Sequence, residues 1–193
     1  MKFAYKADGT VTGLNRNGQE DELTGYCSEQ DLTLGMTAEY YTVTNGALKA
    51  KPTSLISKLK ASHMKSSAVR KVLSLIETEC IAFDKKDFLY NGNWFISDRD
   101  NIQFVQNECL ASDPNEPIRT FLGTINEGKW LGRNKFIQFT CGEFIEFASA
   151  YFERGSNNFT IKAEHIMAVK IMEQDTSKTA QDVLNYNYST GWH

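Results

Sequence analysis

The chain has 193 residues, 41% of them hydrophobic and 23% charged, so it is large and apolar enough to form one domain or two small ones, and wholesale disorder is excluded. Its formal net charge of −3 argues against general nucleic-acid binding, which needs clustered Lys and Arg to neutralise phosphates. No apolar run approaches the roughly 18 residues that span a bilayer, and no secretion signal is recognisable, so we expect a soluble protein made in a cytosol, without a membrane partner.

Residues 1–52 are predicted to form a small β-rich module. Asp8-Gly9 suits a tight hairpin turn, because glycine accepts a positive φ, and Asn17-Gly18 offers a second turn. The clearest hairpin signal is Asn45-Gly46, which follows the aromatic and β-branched segment 39–44.

A connecting helix is predicted over residues 53–79, with Thr53 or Ser54 as its cap. Apolar residues recur along it at three- and four-residue spacing, which places them on one face. The stripe thins over the small and polar segment 61–67. The pattern therefore fits either one long helix or two helices broken near the serines of that segment.

Six basic residues and no acidic ones occur between Lys51 and Lys71. One interpretation is a basic face that docks an acidic partner or a nucleic acid, with Lys58 and Lys65 as candidate partner-binding residues. The other is a solvated helix surface whose charges are balanced by acidic residues of the N-terminal module. The segment lacks interleaved aromatic rings for base stacking, which favours the solvated surface and no nucleic-acid partner.

Residues 80–193 are predicted to form an α+β domain of the type hairpin–helix–hairpin–helix, with short antiparallel sheets, because tight turns join the strands. Strands at 81–83 and 88–90 lead into Asn91-Gly92 and a return strand, after which Ser97 or Asp98 caps a short helix. A second hairpin is predicted over 118–131.

A further strand over 136–139 precedes a helix that Thr140 is expected to cap. The apolar residues of this helix run from 144 to 152. The segment 154–158, Arg-Gly-Ser-Asn-Asn, has the composition of a loop, so it is predicted to separate this helix from a last one over 161–171.

The polar tail after residue 175 is predicted to hold one helical turn at 180–184 and ends in three aromatic residues: Tyr186, Tyr188 and Trp192. These rings are candidate partner-binding residues, since Tyr and Trp are favoured interface anchors. They fit equally well as rings that fold back on the core of their own domain. The sequence leaves both interpretations open.

Little in the sequence indicates chemistry. The four cysteines lie far apart without a CxxC motif, which in a cytosolic protein is typical of buried small hydrophobic residues. The three histidines are isolated, so we expect no metal and no cofactor. Glu143 and Glu146, one helical turn apart, are weak candidates for acid–base work, and a solvated helix face explains them as well. We therefore expect no enzymatic activity.

The segment from about Phe88 to Phe152 resembles a domain family of unknown function that recurs in tailed-bacteriophage tail and tail-fibre proteins, often at their C-terminal ends. The first matching features are a hairpin glycine, an aromatic residue, a capping aspartate and an apolar helix residue: Gly92, Phe95, Asp98 and Ile102. The later ones are the family's Trp, the strand after it and its final helix: Trp130, 136–140, Phe144 and Tyr151.

The resemblance covers roughly a third of the chain. The chain departs from the family after Trp130, where Leu131-Gly132-Arg133-Asn134 stands in place of a small residue, an Asp and an Asn. The earlier segment from Tyr40 to Lys49 is similar to the N-terminal module of small phage tail-fibre and fibre-assembly proteins.

The resemblance implies a structural or adaptor component of a phage tail, in the fibre or baseplate region of the virion. Such a protein would bind other tail proteins and form a homo-oligomer in a symmetric assembly. No catalytic residues carry over. Two alternatives are a tail-fibre assembly chaperone that is absent from the mature particle, and a small phage effector that binds a host protein.

Overall fold

A computed structural model describes residues 1–118, 121–123 and 135–193. The predicted turn and return strand of the second hairpin, including Trp130, lie outside the described residues. The chain divides into two compact units, which we describe separately: Met1–Ala68 with Thr179–Gln181, and Val69–Lys178 with Asp182–His193. The architecture is α+β with short antiparallel sheets, as the sequence predicts.

The first unit begins with a three-stranded antiparallel sheet in the order β2-β1-β3. Its strands are β1 (Lys2–Tyr5), β2 (Val11–Leu14) and β3 (Leu23–Tyr26). The predicted hairpin at Asp8-Gly9 is confirmed: Gly9 has a φ of 84°, and the Thr10 amide donates to Asp8 Oδ1 at 2.8 Å. Asn17-Gly18 lies in the connection from β2 to β3, a strand that the sequence pattern did not predict.

The second hairpin of this unit pairs β4 (Tyr41–Thr44) with β5 (Ala47–Ala50). Asn45 and Gly46 have φ values of 53° and 74°, the left-handed geometry of a type I′ turn, so this prediction is confirmed. The strand starts at Tyr41 because residues 38–40 form a short 3₁₀ turn. The hydrophobic core of this unit is one cluster of buried residues: Phe3, Val11, Cys27, Tyr40, Tyr41, Leu48 and Ile56.

The connecting helix is one continuous element, α1 (Thr53–Asp84). Its first turn begins at the carbonyl of Pro52, which accepts the Ile56 amide at 3.0 Å, so the predicted cap at Thr53 or Ser54 is wrong. The strand predicted at 81–83 is also wrong, and the helix continues past its predicted end at residue 79. The reason is the buried stripe at three- and four-residue spacing, which runs on as far as Cys80: Val69, Val72, Ile76 and Cys80.

The sheet of the second unit is antiparallel in the order β6-β7-β8-β9. Its strands are β6 (Phe88–Tyr90), β7 (Asn93–Phe95), β8 (Phe121–Gly123) and β9 (Lys135–Ile137). The predicted turn between β6 and β7 is confirmed by φ values of 46° at Asn91 and 74° at Gly92. Helix α2 (Arg99–Leu110) starts at the predicted Asp98 cap, whose Oδ1 accepts the Asn101 amide at 3.2 Å.

Helix α3 (Cys141–Gln174) begins with a capping box between Thr140 and Glu143, so the predicted cap at Thr140 is confirmed. The loop predicted at 154–158 is wrong, because the helix passes through it without interruption. The side chains of Arg154 and Asn158 find partners elsewhere in the unit, which compensates for the low helix propensity of this stretch. A short helix α4 (Ala180–Leu184) confirms the predicted helical turn.

Helices α2 and α3 pack over an aromatic core, which we define by its rings: Phe88, Phe95, Phe139, Phe144, Phe147 and Tyr151. Phe147 lies at its centre, with ring centroids 4.7 Å from Phe95, 5.4 Å from Phe144 and 5.5 Å from Phe139. The tilted and edge-on ring geometries are those that aromatic quadrupoles favour. Tyr151 lies at the edge of this core, next to the candidate functional site.

Candidate functional site

The second unit contains a cavity of about 510 Å³ where the end of α1, the start of α2 and the middle of α3 meet. Among its lining residues Cys80 and Tyr151 are buried, whereas Lys85, Arg99 and Phe159 are exposed. The lining residues are Cys80, Asp84, Lys85, Ser97, Arg99, Tyr151, Phe152, Arg154, Gly155, Ser156 and Phe159.

Arg154 donates hydrogen bonds to the backbone at the C-terminal end of α1. Its Nη1 donates to the carbonyls of Lys86 and Asp87 at 3.1 and 3.2 Å, and its Nη2 donates to the carbonyl of Asp84 at 3.3 Å. The Asp84 carbonyl is the last of α1 and those of Lys86 and Asp87 follow it, so none of them accepts a bond within the helix, and a cation here also opposes the negative end of the helix dipole. The guanidinium further lies over the rings of Phe88 and Tyr151, 5.1 and 5.2 Å from their centroids.

Burial is the main cause that lowers the pKa of the Arg154 guanidinium, and the nearby Tyr151 and Asp84 oppose that effect. The Nε atom of Arg154 is buried and has no hydrogen-bond partner in the described ranges. The side chain is therefore held by its two Nη groups and by the two rings beneath it.

Ser97 links Tyr151 to the same helix end. The Ser97 hydroxyl donates to the Asp84 carbonyl at 2.6 Å and lies 2.7 Å from the Tyr151 hydroxyl. Since the hydrogen of Ser97 is used on Asp84, the Tyr151 hydroxyl is the donor of the second bond. The serine is part of a chain of hydrogen bonds to the backbone and is not oriented towards a general base.

Asn158 completes this arrangement from the next turn of α3. It is fully buried, and its Nδ2 donates to Asp84 Oδ1 at 3.1 Å and to the His193 carbonyl at 3.0 Å. Its Oδ1 accepts the His193 amide at 2.8 Å. A buried amide thus has partners for both hydrogens and for its oxygen. We call this connected set the polar seam: Asp84, Ser97, Tyr151, Arg154 and Asn158.

The open side of the cavity combines cations with apolar surface. Lys85 and Arg99 are exposed, and neither forms an ion pair with another residue in the described part of the chain. The Arg99 guanidinium lies 5.7 Å from the centroid of the Phe152 ring. Phe159 on the rim is 66% exposed. Burial raises the pKa of the Cys80 thiol, so this lining residue of the cavity is protonated and uncharged at neutral pH.

The predicted tail residues fold onto α3. Trp192 is buried, donates its Nε1 to the Tyr188 carbonyl at 2.8 Å and lies 5.5 Å from His165, centroid to centroid. The hydroxyl of Tyr186 lies 2.7 Å from His165 Nδ1. His165 Nε2 is 3.0 Å from the carbonyl of Thr190, which can only accept, so Nε2 is the donor of that bond.

Tyr186 and Trp192 thus contact the same buried histidine, as in the interpretation in which the tail folds back on its own domain. Their part in binding a partner stays a prediction. The other two partner-binding candidates, Lys58 and Lys65, lie on the part of α1 that belongs to the first unit: Lys58 is exposed and Lys65 half-buried. Their role also stays a prediction.

The two glutamates that were weak catalytic candidates line a different cavity of about 280 Å³. Glu143 accepts the Thr140 amide at 2.8 Å as part of the capping box, so its carboxylate already has a structural role. Glu146 is exposed on the same helix. All four cysteines are buried with free thiols, as the sequence predicts.

The polar seam was not apparent in the sequence. Tyr151, Arg154 and Asn158 do have the three- and four-residue spacing of one helix face, which is a signal for it. The glycine and asparagines around them gave the segment the composition of a loop and concealed that spacing.

Within residues 1–118, 121–123 and 135–193, no cluster of three or more His, Cys, Asp or Glu side chains has a geometry that would hold a metal ion. None of the helices described here has both the length and the apolar character needed to cross a membrane. Comparison with protein-family models, curated proteins and solved structures finds no match to the chain.

Proposed function

We propose that this chain is a non-enzymatic structural or adaptor component of a bacteriophage tail, in the fibre or baseplate region, that acts by binding other tail proteins. One observation carries the binding part of this proposal. Three large apolar residues on one side of α3 are exposed to solvent: Phe159 by 66%, Met167 by 66% and Ile171 by 61%.

The spacing of these three residues, eight and then four positions, places them along one side of the helix. The buried residues Asn158, His165 and Val169 lie on the opposite side of the same turns. Single exposed apolar residues are ordinary on protein surfaces, but a row of three large ones is typical of a surface that another protein covers. We call Phe159, Met167 and Ile171 the apolar row.

The phage context of the proposal rests on the resemblance of the segment from about Phe88 to Phe152. Gly92 lies in a hairpin turn and Asp98 at a helix cap, the roles that the resembling family gives to these two positions, and the aromatic Phe95 between them is buried. This agreement supports the proposal. The components of a phage tail are repeated around the axis of the tail, so we also expect a homo-oligomer located in the virion.

The experiment is quantitative mass spectrometry on purified particles of the phage that encodes this sequence, with copy number measured against a tail protein of known stoichiometry. The proposal predicts that the chain is present at a symmetric copy number. Absence from the particle, with the protein abundant in infected cells, would contradict it and would favour the assembly chaperone or the host-directed effector.

A further inference from the structure

We propose that the cavity at the end of α1 binds a segment of a partner protein in which a carboxylate stands next to a large apolar side chain. This inference rests on the proposed function, because it assigns a site and a chemical class of ligand to a protein-binding module. The apolar side chain would lie against Phe152 and Phe159, and the carboxylate would face Lys85 and Arg99.

The first argument is the charge of the cavity. Three cationic side chains line it, Lys85, Arg99 and Arg154, against one carboxylate, that of Asp84. The Asp84 carboxylate accepts a hydrogen bond from the buried Asn158 amide, and no ion pair joins it to any of the three cations within the described residues. A site with a net positive charge and partly apolar walls favours an anionic ligand.

The second argument separates a carboxylate from a phosphate. Phosphate sites gather several main-chain amides or several free Arg and Lys donors around one anion. In this cavity the Nη groups of Arg154 are already used on three carbonyls, which leaves Arg99 and Lys85 to contact a ligand. An exposed guanidinium forms a planar fork that fits a single carboxylate with two hydrogen bonds.

The third argument is the apolar surface beside these two cations. Phe152 lies under Arg99, and Phe159 stands 66% exposed on the rim of the cavity. Phe159 also begins the apolar row, so the cavity is continuous with the surface that carries the proposed function. A bare inorganic anion would leave these rings in water, whereas an acidic and apolar peptide would cover them.

The experiment selects short random peptides from a display library on the immobilised full-length protein. Sequences recovered on the wild type should carry Asp or Glu within two positions of Phe, Leu, Ile, Met, Tyr or Trp. The same selection on the double variant Lys85→Glu/Arg99→Glu should lose this enrichment. Both side chains are exposed, so the reversal should leave the fold intact, which circular dichroism would check.

The matched control is Lys49→Glu/Lys178→Glu, which makes the same change in net charge at two exposed positions outside the cavity and outside the basic segment 51–71. It should keep the enrichment. A fluorescein-labelled copy of the most enriched peptide should then bind the wild type in fluorescence anisotropy, with Kd about tenfold higher for the cavity variant and for Phe159→Ser. Phe159→Leu should keep most of the affinity.

Three results would overturn the proposal: no enriched motif on the wild type, a motif without an acidic residue, or equal losses with the cavity variant and the control. Displacement of the peptide by inorganic phosphate at equal concentration would also overturn it and would indicate a simple anion site. Detection of the protein in phage particles is independent of all these results, so failure here leaves the proposed function to be judged by mass spectrometry.

Discussion

The aromatic core and the polar seam are neighbours in the second unit and share Tyr151, whose ring belongs to one and whose hydroxyl belongs to the other. In the aromatic core every ring except Tyr151 contacts at least two others, so no single pair determines the geometry. In the polar seam the hydrogen bonds join particular donors to particular acceptors, and most of those acceptors lie on Asp84, the last residue of α1, or on Lys86 and Asp87 just after it.

This difference means that the two regions should respond to substitution in different ways. A ring lost from the core removes buried apolar area and leaves a cavity, whatever the neighbours are. A polar group lost from the seam leaves its former partner buried without a hydrogen bond, so the loss of stability depends on which partner group is left unsatisfied. The candidate site lies over the seam, where the directions of hydrogen bonds, and not the packing of side-chain volume, fix the positions of the side chains.

The largest effect is expected for Phe95→Ala, because Phe95 is 1% exposed and lies 4.7 Å from Phe147 between ring centroids. The free energy of unfolding should fall by about 3–5 kcal/mol, measured by urea denaturation. Phe104→Ala, at a ring that is 60% exposed, should change it by less than about 0.5 kcal/mol. Similar losses for both variants would show that Phe95 is not part of a packed core.

A smaller effect is expected for Asn158→Ala, which leaves Asp84 Oδ1 and the amide and carbonyl of His193 without their partner. The free energy of unfolding should fall by about 1–3 kcal/mol in the same assay. The control is Asn157→Ala at the adjacent exposed position, which should be neutral or slightly stabilising because alanine is the better helix former. A neutral Asn158→Ala would mean that the seam does not hold the end of α1.

Tyr151→Phe tests the residue that the two regions share. The ring stays in the core while the hydrogen bond to Ser97 is lost, so the free energy of unfolding should fall by about 0.5–1.5 kcal/mol. Tyr90→Phe is the matched control, since its ring packs on Phe147 and its hydroxyl bonds no other residue within the described part of the chain. Equal effects for the two variants would remove the distinction between core and seam at this position.

The elements that the sequence predicted well are those determined by adjacent residues. Asn45-Gly46 and Asn91-Gly92 formed type I′ turns because their left-handed φ values are a local preference. Asp98 and Thr140 started helices because the capping bonds reach only three residues along the chain.

The elements that it missed depend on distant residues. Arg154 and Asn158 bond to positions 67–74 residues away, and those bonds keep α3 continuous through a segment with the composition of a loop. The buried stripe of α1 likewise extends the helix over 81–83, where the local pattern favoured a strand. The candidate site lies between these two stretches, so it could not be predicted from either stretch alone.

The smallest effect concerns Cys109. Its thiol is ionisable and is buried with the rings of the aromatic core, and it is not part of the polar seam. Burial, with a further contribution from the neighbouring Cys141, raises the pKa of its thiol from 9.0 to about 12. Below about pH 9 the thiol is protonated in both states, so it has no effect on stability there. Between pH 9 and about 12 the unfolded chain loses this proton while the folded chain keeps it, and the free energy of unfolding falls.

The measurement is urea denaturation of the wild type and of Cys109→Ala at about pH 8 and about pH 10. The alanine variant starts from a lower stability because it lacks the buried sulfur, but its stability should decline less between the two pH values. Cys80→Ala should act in the same direction, since burial also raises the pKa of that thiol. An equal decline in the wild type and in Cys109→Ala would mean that the thiol ionises as readily in the folded protein as in the unfolded chain. The packing around the core would then be looser than its ring contacts indicate.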